Sequence, residues 1–566
     1  MSMTFDSSQS AELDPPAPWT AHYPFCIPAH LDYPEEPVWW LLERAATQFP
    51  ERIALRYFGE KITYAELRNL AARAASMYQS LGVKPGDRVG LLLPNLPEYL
   101  MAAYGVWMAG GVVVSLSPLS VAEEISGLLA ATDCRFVVCL DLLSPLLTTG
   151  EHKPDQVLTC SVAPRLPWYQ RIGYNGVLLR RGARNFHGVK HADFREELQK
   201  YPPIDTPFPA DLQSPAYILP TGGTTGKPKA VTLSHRNLVA NAWQLFYWCG
   251  QRTGRDTLLA VIPFFHSYGL STCVTSGLAM GATLVLFHRF HAKKTLELIE
   301  NTQPTVFPTV PAMLHQLNQQ MRKTPRNLKS LMWVISGGAP LTKEIAEEFA
   351  ETSRSHVVEG YGLSEASPVT HVNPLDGTER SGFIGLPLPD VEARILDPEN
   401  GESEMPTGEV GELVIRGPQV MLGYWNNPEA TQAAIRDGWL FTGDLARMDR
   451  DGFFQIVDRK KDLIITSGFN VYPSDVEAVL RNYPGVKDAA VIGVPDPQRG
   501  EIVKAVIAIS DPAKFHRHEL DHYIEQHLAH HKRPKLIEIC EGDLPRNFLG
   551  KVLRRKLRDT PTVTAK

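Results

Sequence analysis

The segment best equipped for chemistry is the run Thr221, Gly222, Gly223, Thr224, Thr225 and Gly226, followed by Lys227, Pro228 and Lys229. It leaves a short apolar stretch, Tyr217-Ile218-Leu219-Pro220, that reads as a strand. Glycines let the backbone come close to an anion, successive amides and Thr hydroxyls donate hydrogen bonds, and a lysine adds a point charge. That combination suits phosphate. It is not the Walker A pattern, because three residues rather than four separate Gly222 from Gly226 and no Ser or Thr follows Lys227. A second pattern, His518-Glu519-Leu520-Asp521-His522, matches the His-Glu-x-x-His of zinc proteases. Leu520, Ile524 and Leu528 form the buried stripe expected of that helix, which puts both histidines on its exposed side. A solvated face, not a zinc site, is the expectation there.

The elements that must hold the loop follow from periodicity. Residues 66–81 and 122–131 have helical spacing of apolar positions, and residues 88–93 and 135–140 read as strands. Such alternation implies an α/β fold, parallel sheets covered by helices. From about residue 390 the texture changes to strands separated by Gly and Asp turns, as in 411–417 and 452–458, which predicts a β-rich subdomain. The basic run Asp458-Arg459-Lys460-Lys461-Asp462 then reads as a hinge. The expected division is a large domain over residues 1–460 and a small α+β domain over 461–566. Residues 257–287, broken by Pro263, His266 and several glycines, read as buried strands and turns. Residues 142–211 are Pro-rich and poorly periodic around an amphipathic stretch at 166–181, and no role follows for them.

Composition excludes several classes. The chain has 566 residues, 43% hydrophobic and 21% charged, close to ordinary globular usage, so it should fold as several lobes. A net charge of −5 gives no electrostatic case for nucleic acid. No stretch reaches the roughly 18 uninterrupted apolar residues of a membrane span. Residues 1–14 contain Asp6, Glu12 and Asp14 without Lys or Arg, unlike a secretion signal, and the cytoplasm is the expected location. The seven cysteines include no Cys-x-x-Cys pair and are expected to be buried thiols.

The loop has company. Pro263-Phe264-Phe265-His266, Ser336-Gly337-Gly338-Ala339-Pro340, Glu359-Gly360-Tyr361-Gly362-Leu363-Ser364-Glu365, Phe441-Thr442-Gly443-Asp444, Asp458 to Asp462 and the run from Leu544-Pro545 to Gly550-Lys551 follow it in order. Together these motifs resemble the adenylate-forming superfamily of acyl-CoA synthetases, adenylation domains and beetle luciferases, over about residues 35–558. Thr221 to Gly226 and Ser467-Gly468-Phe469-Asn470-Val471-Tyr472-Pro473 look most similar to bacterial long-chain fatty acyl-CoA synthetases. Departures are few: Gly222 stands where Ser is common, Ala230 where Gly is usual, Ser364 where Thr is commoner, and Arg546-Asn547-Phe548 replaces a Lys-Thr run.

The resemblance implies two half-reactions. A carboxylate and ATP form acyl-AMP and pyrophosphate, and the thiol of coenzyme A then displaces AMP. Thr221 to Gly226 and Lys229 would take the β- and γ-phosphates. Glu365, a hard oxygen ligand, would hold Mg²⁺ with Thr221. Tyr361 would stack on adenine, Asp444 would accept from the ribose hydroxyls, and Arg459 would reach the ribose or phosphate. Gly338, Ala339, Pro340, Glu359, Gly360, Gly362 and Ser364 would complete the nucleotide wall. Lys551 would stabilise charge at the α-phosphate during adenylation, while the other cations of its tail, Arg546, Arg554, Arg555, Lys556 and Arg558, read as a solvated face; His266 would sit by the acyl carbonyl. The small domain would turn about Lys461 between half-reactions, bringing Gly468 to the pantetheine tunnel. Apolar residues at 240–248 and 270–279, with room left by Gly269, Gly337 and Gly338, suggest a medium- or long-chain fatty acid. The alternatives are an acyl-AMP ligase loading a carrier protein, or an enzyme for aryl or β-hydroxy acids. The expected partners are the acid, ATP and coenzyme A, with at most peripheral contact at the inner membrane face.

Overall fold

A computed structural model describes residues 17–558, apart from residues 25, 184, 187, 222–228, 512–513, 541 and 548–549. Among the described residues two large, mostly parallel sheets dominate the N-terminal part. One has eight strands, ordered Gly423–Tyr424, Lys229–Ser234, Pro215–Thr221, Val112–Ser115, Arg88–Leu92, Phe136–Leu140, Gln156–Cys160 and Lys190–Asp193. The other has nine, with Trp333–Ser336, Val306–Thr309, Thr257–Ala260 and Thr283–Leu286 side by side at its centre. Strands buried on both faces need continuous apolar runs, and Val112–Ser115 and Thr283–Leu286 are buried at every position. The fold is therefore α/β.

Helices cover the sheets and are fixed by their caps. Helix Tyr64–Ser80 starts at a capping box in which the Thr63 hydroxyl accepts from the Glu66 amide and the Glu66 carboxylate accepts from the Thr63 amide. Helix His235–Trp248 starts at the Ser234/Asn237 equivalent directly after strand Lys229–Ser234. A five-stranded subdomain built on Gly411–Arg416, Trp439–Met448 and Phe454–Arg459 follows, entirely antiparallel, as the Gly and Asp turns predict.

The smaller C-terminal domain follows the 3-10 turn Lys460–Asp462 and has its own sheet, in which Gly500–Ile509 is flanked by Val486–Asp496 and Leu536–Cys540. Its own core gathers Ile464, Val476, Leu480, Val491, Ile507, Leu520, Ile524 and Leu528. No helix among the described residues is long and apolar enough to cross a membrane.

Two expectations need correction. Between strands Thr257–Ala260 and Thr283–Leu286 the chain is helical, through Ser267–Gly269, a π-helical stretch Leu270–Thr275 and Ser276–Ala279. Every residue from Ser267 to Ala279 is buried, so no apolar–polar contrast exists to reveal a helical period. Five cysteines are buried, but Cys26 is exposed and Cys540 half-buried.

Candidate active site

Antiparallel pairing sets Thr221, the last residue of its strand, opposite Lys229, the first of the next, and the Thr221 hydroxyl donates to the Lys229 carbonyl at 3.2 Å. Gly222, Gly223, Thr224, Thr225 and Gly226 lie outside the described residues. Thr221 and Lys229 line a cavity of about 860 Å³. The Lys229 ammonium stands 4.7 Å over the ring of Tyr424, whose hydroxyl donates to Glu365 Oε1 at 2.9 Å. Burial, then the charge of Glu365, pushes the Tyr424 phenol up, so it remains a donor. Tyr424 is held here because Gly423–Tyr424 pairs with Lys229–Ser234, the strand that leaves the loop.

Glu365 sits in the 3-10 turn Ser364–Ala366 at the end of strand His356–Gly362. Its carbonyl accepts from the Met421 amide at 2.8 Å, and the Ser364 hydroxyl meets that of Ser267 at 3.0 Å. Gly362 tolerates no side chain, since a Cβ would lie 1.9 Å from the Pro368 carbonyl oxygen.

Gly337, Gly338, Gly360, Tyr361, Thr442 and Arg459 form another part of the wall. The Tyr361 hydroxyl donates to Asp444 Oδ2 at 2.6 Å, and Arg459 Nε lies 3.1 Å from Asp444 Oδ1. Asp444 is thus buried but tied to two lining residues. Ala339 and Pro340 are not among the lining residues, and Glu359 lines a second cavity of about 180 Å³ with Leu341 and Asn373. Burial pushes the Glu359 carboxyl up to about 8, although the Leu341 amide donates to it.

From the small domain, Lys551 enters the same cavity, with Asn547, Arg554 and Lys461. Its turn is closed by paired bonds, Asn547 amide to Lys551 carbonyl and Lys551 amide to Asn547 Oδ1, each 2.9 Å. Gly550 lies so close to helix Pro311–Lys323 that a Cβ would stand 2.7 Å from that of Ala312. Burial, then the neighbouring Arg459 cation, lowers the Lys551 ammonium to about 8, with Lys461 pushing the same way and Asp444 and Asp462 opposing. Gly468 is exposed, at φ +81°, and does not line the cavity in this arrangement.

His266 lines the cavity and caps the helix after it, its Nδ1 accepting from the Tyr268 amide at 3.2 Å. The neutral ring therefore carries its proton on Nε2, and burial lowers its pKa to about 4. The same cavity also has apolar lining, from Leu245, Trp248, Leu258, Met280, Val306 and Leu375. The expected wall at 240–248 thus supplies Leu245 and Trp248, while that at 270–279 supplies only the hydroxyl-bearing Thr272 and Ser276. Gly269 does not make room for substrate; a Cβ there would strike the Pro263 carbonyl oxygen at 2.2 Å, so its role is close backbone packing.

The basic tail is not a simple solvated face. Arg554 donates to Glu477 at 2.7 Å and lies 3.4 Å from Asp462, Arg558 is 3.2 Å from Asp462, and Arg546 pairs with Asp488. Tyr424, Asp462 and Glu477 carry no sequence signal of these roles, since their partners are distant in the chain. His522 faces the Gln526 amide nitrogen at 2.9 Å, and no group of three or more His, Cys, Asp or Glu that could hold a metal occurs among the described residues. Mg²⁺ is a different case. It takes one or two carboxylates and completes its shell with substrate phosphates and water, and the Glu365 carboxylate and Thr221 hydroxyl on one cavity wall fit that demand.

Two helix-covered sheets, an antiparallel subdomain and a small domain that inserts a lysine into a cavity shared by polar and apolar walls define an adenylate-forming enzyme. The chain belongs to the AMP-binding enzyme family, whose profile matches residues 42–425, with the family's C-terminal domain matching residues 475–551. It is 38% identical over 556 residues to the long-chain-fatty-acid–CoA ligase of Bacillus subtilis (strain 168), covering 96% of this chain and 98% of that protein. The ATP-bound crystal structure of MatB from Rhodopseudomonas palustris superposes with a TM-score of 0.78 at 31% identity, over 92% of this chain and 98% of that one. A Mycobacterium tuberculosis fatty acyl CoA synthetase gives 0.71 at 29% identity, over 93% and 98%.

Proposed function

We propose that this protein is an AMP-forming fatty acid–CoA ligase for medium- or long-chain acids, working in the cytoplasm. In the first half-reaction an oxygen of the fatty carboxylate bonds to the α-phosphorus of ATP and pyrophosphate leaves. In the second, the coenzyme A thiolate bonds to the acyl carbonyl carbon and AMP leaves. The carrying observation is that one cavity is lined both by Thr221, Lys229, Glu365 and Lys551 and by the apolar Leu245, Trp248, Leu258, Met280, Val306 and Leu375.

In this reading the loop from Thr221 to Gly226 and Lys229 bind the β- and γ-phosphates. Glu365, oriented by the Tyr424 hydroxyl, and Thr221 hold Mg²⁺, which when bound neutralises charge on the departing pyrophosphate. The ring of Tyr361 and the Gly338, Gly360 and Gly362 backbone receive adenine, with Ala339, Pro340 and Glu359 behind that wall and Ser364 bracing the Glu365 turn. Asp444 releases Tyr361 and accepts from the ribose hydroxyls while Arg459 steadies it. Lys551 holds its positive charge where it accumulates on the α-phosphate. His266, neutral with its proton on Nε2, orients the acyl carbonyl. Residues 1–460 and 461–566 act as separate bodies, turning at Lys461 so that Lys551 withdraws and Gly468 borders the coenzyme A path.

The test is acid-dependent pyrophosphate release, from butyrate to palmitate and with ferulate and amino acids, with and without coenzyme A. Each buried CH₂ contributes about 0.8 kcal/mol, so kcat/KM should rise up to about 200-fold from butyrate to octanoate. A maximum at ferulate or an amino acid would refute the fatty acid, and release indifferent to coenzyme A but coupled to a carrier protein would refute the acceptor.

A further inference from the structure

Helix Trp168–Arg180 lies in the stretch for which the sequence suggested no role, and it stands on the protein surface with its apolar side outward. Trp168, Ile172 and Leu179 are 76%, 65% and 68% exposed. At 100° per residue these three fall on one strip, flanked on one side by exposed Tyr169. The opposite side is fastened: Leu178 is buried, and the Tyr174 hydroxyl donates to Asp141. The entry to the helix is rigid as well, because Arg165 bonds Glu60 at 2.7 Å and Glu98 at 2.6 Å, and Arg195 bonds the same two carboxylates. This outward apolar strip is therefore held in place.

Charge along this stretch of the chain has one sign. No Asp or Glu occurs between Asp155 and Asp193, while Arg165, Arg171, Arg180, Arg181, Arg184 and Lys190 do, in a chain whose net charge is −5. Arg171, Arg180 and Arg181 are exposed on or just beyond the helix. Trp and Tyr rings with an apolar body and a polar edge, beside arginines that can reach past an apolar strip, suit the boundary between lipid headgroups and acyl chains. A second protein is a poorer match. Thirteen residues make a strip about 20 Å long and about 10 Å wide, roughly 200 Å², against about 800 Å² per partner in a stable protein interface.

We propose that helix Trp168–Arg180 is a membrane-docking surface that lays Trp168, Ile172 and Leu179 into an anionic bilayer, with Arg171, Arg180 and Arg181 on the phosphate groups. This goes beyond the ligase reading and does not depend on it.

The test is sedimentation of the full chain with vesicles of phosphatidylcholine alone or containing about a third phosphatidylglycerol, at low and high salt. The wild type should bind the anionic vesicles at low salt and lose binding on neutral ones. The variant W168S/I172S/L179S, altered only at exposed positions, should bind at least tenfold more weakly while its pyrophosphate release with octanoate in lipid-free buffer stays unchanged. Arg180→Gln with Arg181→Gln should weaken binding about 30-fold, at about 1 kcal/mol per cation near an anionic leaflet. Wild-type protein that ignores anionic vesicles, binds neutral ones equally well, or is matched by the triple variant would overturn the proposal. So would a triple variant that changes the oligomeric state while keeping vesicle binding, since a second copy would then be the occupant.

Discussion

Lys551 should give the adenylation half-reaction an alkaline limit near pH 8. Its ammonium is the form that can stabilise negative charge at the α-phosphate, so activity is present below its pKa and lost above it. Burial and the Arg459 cation place that pKa at about 8. The amine is then about nine-tenths charged at pH 7 and about one-tenth at pH 9, and kcat/KM for MgATP, which reports the free enzyme, should fall about tenfold across that interval. ATP brings negative charge to the lysine, so the corresponding limb in kcat should move to higher pH. Removing the cation, in Lys551→Ala, should cost about 10²–10³ in pyrophosphate release, the usual effect of deleting one preorganised electrostatic group. It should leave thioester formation from synthetic acyl-AMP nearly intact. Lys551→Arg keeps a charge that does not titrate in this range, so whatever activity it retains should lose the limb at pH 8. A limb that persists in the Arg and Ala variants would assign it elsewhere, with Glu359, also placed at about 8, the first alternative. Equal damage to both half-reactions would refute the placement of Lys551.

Three further outcomes are expected. Lys461→Pro, which fixes φ near −65° and so matches the 3-10 turn seen here, should impair thioester formation more than adenylation; unchanged rates in both would remove Lys461 from the mechanism. Tyr424→Phe deletes a hydrogen bond to the Glu365 carboxylate, worth about 1.5–3 kcal/mol for a charged acceptor, and should raise KM for MgATP by about tenfold or more; an unchanged KM would separate Tyr424 from Glu365's role. A zinc-selective chelator with Mg²⁺ in excess should leave ligase rates unaltered, as should His518→Ala with His522→Ala, and a loss restored by zinc alone would contradict this.

The α/β class was legible because alternating strands and helices leave two distinct periods in the sequence. Apolar spacing put one helix at 66–81, within two residues of the observed Tyr64–Ser80. Helices with no exposed side escaped, since the stretch from Ser267 to Ala279 offers no polar face to set a period. Glu365 and Asp444 could be proposed because they stand in compact motifs that carry the family resemblance. Tyr424 could not, because it meets Glu365 only through strand pairing across 59 positions of chain. The arginine tail misled for a related reason: its acidic partners, Asp462, Glu477 and Asp488, all precede it by more than a helix turn can reach. Gly269 misled differently, since a missing side chain signals closeness without saying whether substrate or backbone fills the space.

The short turn between the two domains also has a mechanical reading. Lys460 is bolted to the large body through Glu412 at 2.7 Å, and Asp462 to the small one through Arg554 and Arg558. Like the leaves of a door hinge, each side is fastened within one residue of the pin, and only Lys461 lies between the fasteners. In the proposed rotation such a joint would have little play, since slack cannot accumulate along a linker. The end points of that rotation would then be set by the dihedral angles of one residue, which would let a lysine tip far from the pin return to the same spot on every cycle.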